Sequence, residues 1–295
     1  MKKFSLSLVA LAMLSACGGG DEPRPEGALA PVSSSARWVV RHSDFSSSAY
    51  SFLDAEGNVL ADAWIHSGST PPGLTAVLSG DTDLPTRMER GILTIIDRFG
   101  VDVVTRIDLH TGDVLGQVRT QGPSDSAFSS NPNDLAYVGP TSAWVTRYGH
   151  NTMPGVDPDV QGSDLLEFDP TTMTRTGARV DLSSFQVDVS VWSMSGTVIE
   201  PARPRPNRVI QVGGYLVVGL DLITDDFYGA GPGKLAIVEG AGYPDPVRSH
   251  FLSSDIWQAG DLEGRRLGTG WVGRLVDQRF RDVDDPNLVM AITPR

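Results

Sequence analysis

Residues 133–148 read NDLAYVGPTSAWVTRY. Two apolar runs, at 135–138 and 143–148, flank a Gly-Pro-Thr-Ser turn at 139–142. Short apolar runs that are joined by Gly and Pro are typical of antiparallel strands, because these residues favour the backbone angles of a tight turn. This segment therefore predicts a β-hairpin.

Similar apolar runs continue through the chain from Ala36 onward. Examples lie at residues 92–96, 101–107 and 114–118, and a periodicity of 3.6 residues is nearly absent. The 32 Gly and 20 Pro supply frequent turns. Strand-length apolar runs between turn residues predict an all-β fold.

A repeat is visible at the turns, each of which begins with an aspartate. Asp54 lies in FLDAEG, Asp108 in RIDLHTG and Asp169 in EFDPTT, and residues 236–242 hold a fainter copy. Each unit is an apolar strand, Asp, a turn and a second strand. An Asp carboxylate can accept backbone N–H groups two residues on. Repeats of this kind, with four strands each, predict β-propeller blades with insertions at 150–162 and 193–207.

The same segments resemble the blades of YVTN-type β-propellers. AWVTR at 143–147 is similar to the Tyr-Val-Thr-Asn motif, and LLEFDPTT at 165–172 is similar to the hairpin that follows it. Trp144 stands in place of Tyr, and Thr172 in place of the turn Gly. The resemblance implies an all-β propeller over residues 36–255. It has about four to seven blades, and an incomplete propeller is among the expected outcomes. Residues 256–295 lack clean alternation and are expected to form a degenerate blade or an irregular tail.

The N-terminal residues resemble the export signal of a bacterial lipoprotein. A basic start and a short apolar run precede Leu14-Ser15-Ala16-Cys17, and Cys17 is the only cysteine. The apolar run is too short to span a bilayer. The resemblance implies cleavage of a signal peptide at 1–16, acylation of Cys17 with palmitate-type chains, and outer-membrane sorting because Gly18 is not Asp. An ordinary secreted protein with one stray cysteine is the alternative.

Composition limits the remaining possibilities. Residues 17–35, rich in Gly, Pro, Ser and Glu, are expected to form a flexible tether. The formal charge is −12, and about −14 without Lys2 and Lys3. So acidic a chain repels phosphates, which excludes non-specific nucleic-acid binding. The expected membrane contact is the lipid anchor, and the expected location is the outer membrane or cell envelope.

The sequence predicts no catalytic residue, metal ligand or cofactor. The five histidines lack metal-ligand spacing, and no nucleophile elbow is present. Acidic loops at 157–164 and 282–287 are read as solvated, with a weak calcium site as the alternative. Trp38, Trp64, Trp144 and Trp192 are read as contacts between blades rather than a ligand pocket. We therefore expect a non-enzymatic binding or scaffold module. A metal-dependent propeller hydrolase or lactonase is the alternative.

The expected binding face lies where the apolar run at 143–148 leads into the insertion at 150–162. Arg147, Tyr148 and Asn151 are the candidates, because Arg and Tyr are frequent at interfaces and long loops often carry function. The expected partner is an envelope protein or a glycan. The alternative is that Tyr148 packs on a neighbouring blade and Arg147 pairs with a nearby acid.

Overall fold

A computed structural model describes residues 25–122, 128–194, 196–212 and 214–239, together with the backbone of strands at 249–252, 263–267, 270–274 and 290–292. Within these ranges the chain is almost entirely antiparallel strand, with two short 3-10 turns and no α-helix. The signal peptide and Cys17 lie outside the described residues. Among the described residues, no helix has the length and apolar character needed to cross a membrane.

The described strands form five antiparallel sheets, each built from consecutive strands. Sheet 1 contains β1 (Trp38–Ser43), β2 (Ser48–Leu53) and β3 (Val59–His66). Sheet 2 contains β4 (Thr82–Asp83), β5 (Ile92–Asp97), β6 (Val103–Asp108) and β7 (Val114–Arg119). Sheet 3 contains β8 (Pro132–Gly139), β9 (Ser142–His150), β10 (Gly162–Asp169) and β11 (Thr174–Asp181).

Sheet 4 contains β12 (Val187–Ser193), β13 (Gly196–Val212), β14 (Tyr215–Ile223), β15 (Lys234–Glu239) and β16 (Ser249–Leu252). Sheet 5 contains β17 (Glu263–Leu267), β18 (Gly270–Arg274) and β19 (Met290–Ile292). Up-and-down sheets in chain order are the blades of a propeller-type fold, so the predicted all-β fold class is confirmed. The hairpin predicted over residues 133–148 is β8–β9.

The repeated aspartates occupy equivalent positions in the first three sheets. Asp54, Asp108 and Asp169 each begin the turn between the last two strands of their sheet. Each Oδ1 accepts a backbone N–H two residues on, from Glu56 at 3.0 Å, His110 at 2.7 Å and Thr171 at 2.7 Å. The repeat in the sequence is therefore a repeat of the outer hairpin.

Sheet 4 departs from the pattern through β13, which is 17 residues long. Its first part, 196–202, pairs with β12, and its second part, 203–212, pairs with β14. The sequence predicted an insertion at 193–207, and most of this stretch is strand instead. We call β12 and residues 196–202 of β13 the arm.

The core consists of three apolar clusters, each lying between neighbouring sheets. Adjacent residues of one strand enter different clusters, because side chains alternate between the two faces of a strand. Ile95 packs toward sheet 1 and Ile96 toward sheet 3, and Leu135 packs toward sheet 2 and Ala136 toward sheet 4. The inner strands of sheets 2 and 3 therefore bury both faces, which explains their apolar runs, whereas the outer strands β7 and β11 are largely exposed or half-buried.

A buried carboxylate joins three sheets at their inner edge. Asp134, at the start of β8, is fully buried. It accepts bonds from Thr86 N (2.8 Å) and Thr86 Oγ1 (2.7 Å) of the β4–β5 connection, and from Val209 N of β13 (3.0 Å). Burial raises the pKa of Asp134, and the hydrogen bonds oppose that shift.

The expected tether ends earlier than residue 35. Leu29 and Val32 are buried in the cluster between sheets 1 and 2. Ala30 O accepts a bond from Trp64 Nε1 at 2.7 Å, and Val32 N donates to Leu109 O at 2.8 Å. The expectation of a flexible tether is therefore wrong for this segment, because its two apolar residues and its backbone cover the edge of the core.

Asp134→Ala should lower the free energy of unfolding by about 3 kcal/mol, because it leaves the buried Val209 N–H and the part-buried Thr86 N–H without an acceptor. Asp54→Ala is the control, since that carboxylate lies in a surface turn and its loss should cost clearly less. Urea denaturation of both variants measures the difference. Equal losses would contradict the role given to Asp134.

Candidate functional site

The main candidate site is a pocket of about 670 Å³ where sheets 2, 3 and 4 meet. Its walls come from the β4–β5 connection, from β8 and its turn, from the β10–β11 turn and from the end of β13. The lining includes Met88, Leu135, Val138, Pro170 and Ile210. We call this the inner pocket.

Most of the inner pocket is apolar, because it is walled by strand residues that also face the core. Leu135 and Val209 are buried, whereas Val138 and Ile210 are half-buried. Met88 is 38 % exposed at the rim. A concave apolar lining with a few fixed polar groups is the usual composition of a ligand site.

Arg106 supplies the main fixed charge of the inner pocket. Its guanidinium donates to Pro170 O and forms an ion pair with Glu89. It also lies 5.5 Å from the centroid of the Tyr137 ring. Tyr137 Oη lies 2.8 Å from Thr94 Oγ1, and burial raises the pKa of this phenol. The cation is therefore held in one position by three elements of the fold.

The rim carries one further cation. Arg87 is exposed, and its Nη1 lies 3.5 Å from Gln211 O on the opposite wall. At that distance the contact is weak. Arg87 therefore gives the mouth of the inner pocket a positive charge in a strongly acidic protein.

Acids at the inner edge of the sheets are engaged in pairs. Asp81 accepts from Arg98 Nε at 2.9 Å, and Asp83 lies 3.4 Å from Arg208 Nη2 and 3.8 Å from Arg41 Nε. The Asp83 pairs cross from sheet 2 to sheets 1 and 4, whereas the Asp81–Arg98 pair stays within sheet 2. Among the described residues, no group of three or more His, Cys, Asp or Glu has a geometry that could hold a metal ion.

The structure places Arg147 in the interior. It is fully buried, and its Nε and Nη2 each donate to Asp164 at 2.6 Å. Its Nη1 donates to Thr120 O at 3.2 Å and to Asp159 O at 2.5 Å. The prediction that Arg147 belongs to a binding face is therefore wrong. The β7–β8 and β9–β10 connections lie over the end of β9, and their backbone carbonyl groups accept hydrogen bonds from Arg147.

Tyr148 is also buried, at 7 % exposure, and its prediction as a binding-face residue is likewise wrong. Its ring lies 5.6 Å from the Arg205 guanidinium, and its hydroxyl donates to Asp221 at 3.3 Å. The other face of Arg205 lies 4.5 Å from the Phe227 ring. Tyr148 therefore belongs to the packing between sheets 3 and 4.

A charged cluster adjoins Tyr148. Asp225 lies 3.1 Å from His150 Nδ1, 3.1 Å from Arg205 Nη2 and 3.3 Å from Arg203 Nε. Burial lowers the pKa of His150, and Asp225 opposes that shift. This cluster connects the end of β9 to β13 and the β14–β15 connection.

Asn151 is half-buried in the β9–β10 connection. Its Nδ2 donates to Val160 O at 3.1 Å, and its Oδ1 accepts from Met153 N at 3.1 Å. The amide therefore shapes its own loop, and a binding role for Asn151 stays a prediction.

The other residues considered from the sequence are placed as follows. In the acidic loop at 157–164, Asp157 caps a 3-10 turn and Asp159 pairs with Arg175 at 3.0 Å. The acidic loop at 282–287 lies outside the described residues. Trp144 is buried between sheets 3 and 4, whereas Trp38 and Trp192 are 62 % and 79 % exposed. The reading of all four tryptophans as contacts between blades is therefore wrong for these last two.

No protein-family model and no curated protein sequence matches the chain. The chain is similar in structure to BamB from Moraxella catarrhalis, with 8% identity, a TM-score of 0.28, and coverage of 84% of this chain and 81% of that one. It is also similar to a puromycin hydrolase, with 15% identity, a TM-score of 0.30, and coverage of 86% of this chain and 50% of that one. Similarity at this level assigns neither a family nor a function.

Sequence reasoning missed the inner pocket. Its lining comes from five segments that are separated by up to 124 positions, from Arg87 to Gln211. The sequence does not indicate which cavity an apolar strand residue such as Leu135 or Val209 faces. The one available signal was Arg106, a basic residue in the middle of the strand β6, which begins with two valines.

Arg147→Ala should lower the free energy of unfolding by about 3 kcal/mol, because it removes the main partner of the buried Asp164 carboxylate. Asn151→Ala, the control from the same region, should cost about 1 kcal/mol. Chemical denaturation monitored by tryptophan fluorescence measures both. If Arg147→Ala were as mild as its control, the interior ion pair would not stabilise the fold.

Proposed function

We propose that this protein is a lipid-anchored binding or scaffold module of the cell envelope, and that the inner pocket receives its partner. The anchor is Cys17, and the location is the outer membrane. The partner is an envelope protein, of which a short segment enters the inner pocket. The proposal combines the lipobox-like sequence with the geometry of the inner pocket.

The observation that carries the proposal is the composition of the inner pocket. Its lining is largely apolar, and its central cation, Arg106, is occupied by Glu89, by Pro170 O and by the Tyr137 ring. A guanidinium that is fixed in this way can orient a ligand, and the Glu89 carboxylate beside it is engaged in the ion pair. Such a site supports binding rather than acid–base catalysis.

The chemistry of the lining also favours a peptide over a glycan. Sugars need several polar groups to satisfy their hydroxyls, since unpaired buried polar groups are costly. Leu135, Val138 and Ile210 offer apolar contact instead. Arg87 at the rim adds attraction for an acidic residue of the partner.

Cys17→Ser should move the protein from the membrane fraction to the soluble fraction, because it removes the only thiol that can carry lipid. Fractionation of cells followed by immunoblotting measures the change. A variant at another residue of the same segment, Gly19→Ser, should remain in the membrane fraction. If Cys17→Ser still sediments with membranes, the lipid anchor is refuted.

A photoreactive amino acid at Met88 should form a covalent adduct with an envelope protein in living cells, because Met88 lies at the rim of the inner pocket. The matched control is Met153, which is 67 % exposed and follows β9 at the far end of sheet 3. Mass spectrometry identifies the adducts. Identical adducts at both positions, or none at Met88, would contradict binding in the inner pocket.

A further inference from the structure

The arm of sheet 4 exposes a cluster of large apolar side chains. Trp192 is 79 % exposed, Ile199 is 65 % exposed, and Met194 at the tip is fully exposed. Ser190 lies opposite Ile199 and Trp192 opposite Thr197, so Trp192 and Ile199 are diagonal neighbours on one face. Contiguous exposed apolar side chains mark interaction sites.

The opposite face of the arm is covered from within the chain. Val189 and Val191 alternate with the exposed residues, and both lie against Gly229 of the β14–β15 connection, where an added Cβ would meet their methyl groups at 3.2 and 2.5 Å. The arm therefore has one packed face, and its exposed apolar residues share the other.

β12 is also an unprotected edge strand. It lies at one end of sheet 4 and contains seven residues, VDVSVWS, with no Pro, Lys or Arg. Its pairing with β13 has no register shift. Among the terminal strands of sheets 1 to 3, β3, β7, β8 and β11 have register shifts in their pairing, whereas β1 and β4 have none. An edge strand with neither a register shift nor Pro, Lys or Arg offers its outer backbone N–H and C=O groups for pairing with another strand.

We propose that β12 pairs antiparallel with β12 of a second copy of this chain. The two-fold axis passes beside Ser190, which lies opposite Ser190 of the second copy. This register pairs all seven residues of β12. The contact is isologous, since each copy contributes the same strand.

This register keeps the two Asp188 carboxylates apart and leaves space for the Trp192 rings. Asp188, the only charge of β12, faces Trp192 of the second copy rather than the other Asp188. Val189 faces Val191 in the same way. The small Ser190 side chains at the centre leave space for both indoles to lie across the contact.

The area is sufficient for a reversible dimer. A large aromatic side chain buries about 150–250 Å², and the contact would cover part of each Trp192 side chain as well as the seven paired residues of both strands. The total is on the order of 1,000 Å², which is the lower limit for a specific interface. We therefore expect a dimer that dissociates on dilution. This inference is independent of the lipid anchor and of the inner pocket.

The test uses the full chain with Cys17→Ser, which has no other cysteine. Adding Ser190→Cys should give a covalent dimer under mild oxidation, because directly opposed residues have Cβ atoms about 5 Å apart, close to disulfide geometry. Asp188→Cys is the matched control on the same exposed face. In this register, position 188 of one copy lies four residues along the strand from position 188 of the other, roughly 13 Å away, so this variant should not cross-link.

Sedimentation velocity provides a second measurement. The protein without an added cysteine should dimerise reversibly, and Trp192→Lys should raise the dissociation constant at least tenfold. At a concentration low enough for both proteins to be monomeric, its melting temperature should stay unchanged, since Trp192 is exposed. The proposal is overturned if the purified chain stays monomeric, if Asp188→Cys cross-links as readily as Ser190→Cys, or if Trp192→Lys leaves association intact. A monomer would assign the edge to a strand of another protein.

Discussion

The fold depends on burying both faces of its central sheets. In sheets 2 and 3, successive residues of a strand enter apolar clusters on opposite sides, as Ile95 and Ile96 do. A sheet of this kind cannot be stable alone, because each face needs a neighbouring sheet to remove it from water. Stacking in chain order meets that need with short connections.

Polar groups that enter such layers must find partners inside the protein. Asp134 accepts N–H groups from two neighbouring sheets, and Asp102, also fully buried, accepts Asn131 N at 2.6 Å and Ser130 Oγ at 3.0 Å. Arg147 and Asp164, on neighbouring strands of sheet 3, satisfy each other. Asp134 and Asp102 therefore join one sheet to the next, whereas the Arg147–Asp164 pair holds one sheet together.

The sequence predicted the features that are set locally. The hairpin at 133–148 and the turns after Asp54, Asp108 and Asp169 depend on residues within a few positions of one another. The burial of Arg147 depends instead on Thr120 and Asp159, which belong to two other connections. No local sequence pattern indicates that these connections cover Arg147, so this interior residue was predicted to lie on the surface.

The length of β13 was hidden by its prolines. Pro201, Pro204 and Pro206 suggest a loop, yet all three lie within the ladder of β13 with its neighbours. Proline is compatible with a strand where its missing N–H faces away from the adjacent strand. The inner pocket was hidden for a different reason, since its walls come from segments far apart in the chain.

β13 also has a mechanical consequence. Its backbone runs without interruption from the arm at Gly196 to Gln211 in the wall of the inner pocket, a path of about 50 Å. The three prolines restrict φ along the way and stiffen the strand. A pull on the arm would load the hydrogen bonds between β13 and β14 together, in shear, rather than open them one at a time. Tension on the arm would thus reach the wall of the inner pocket.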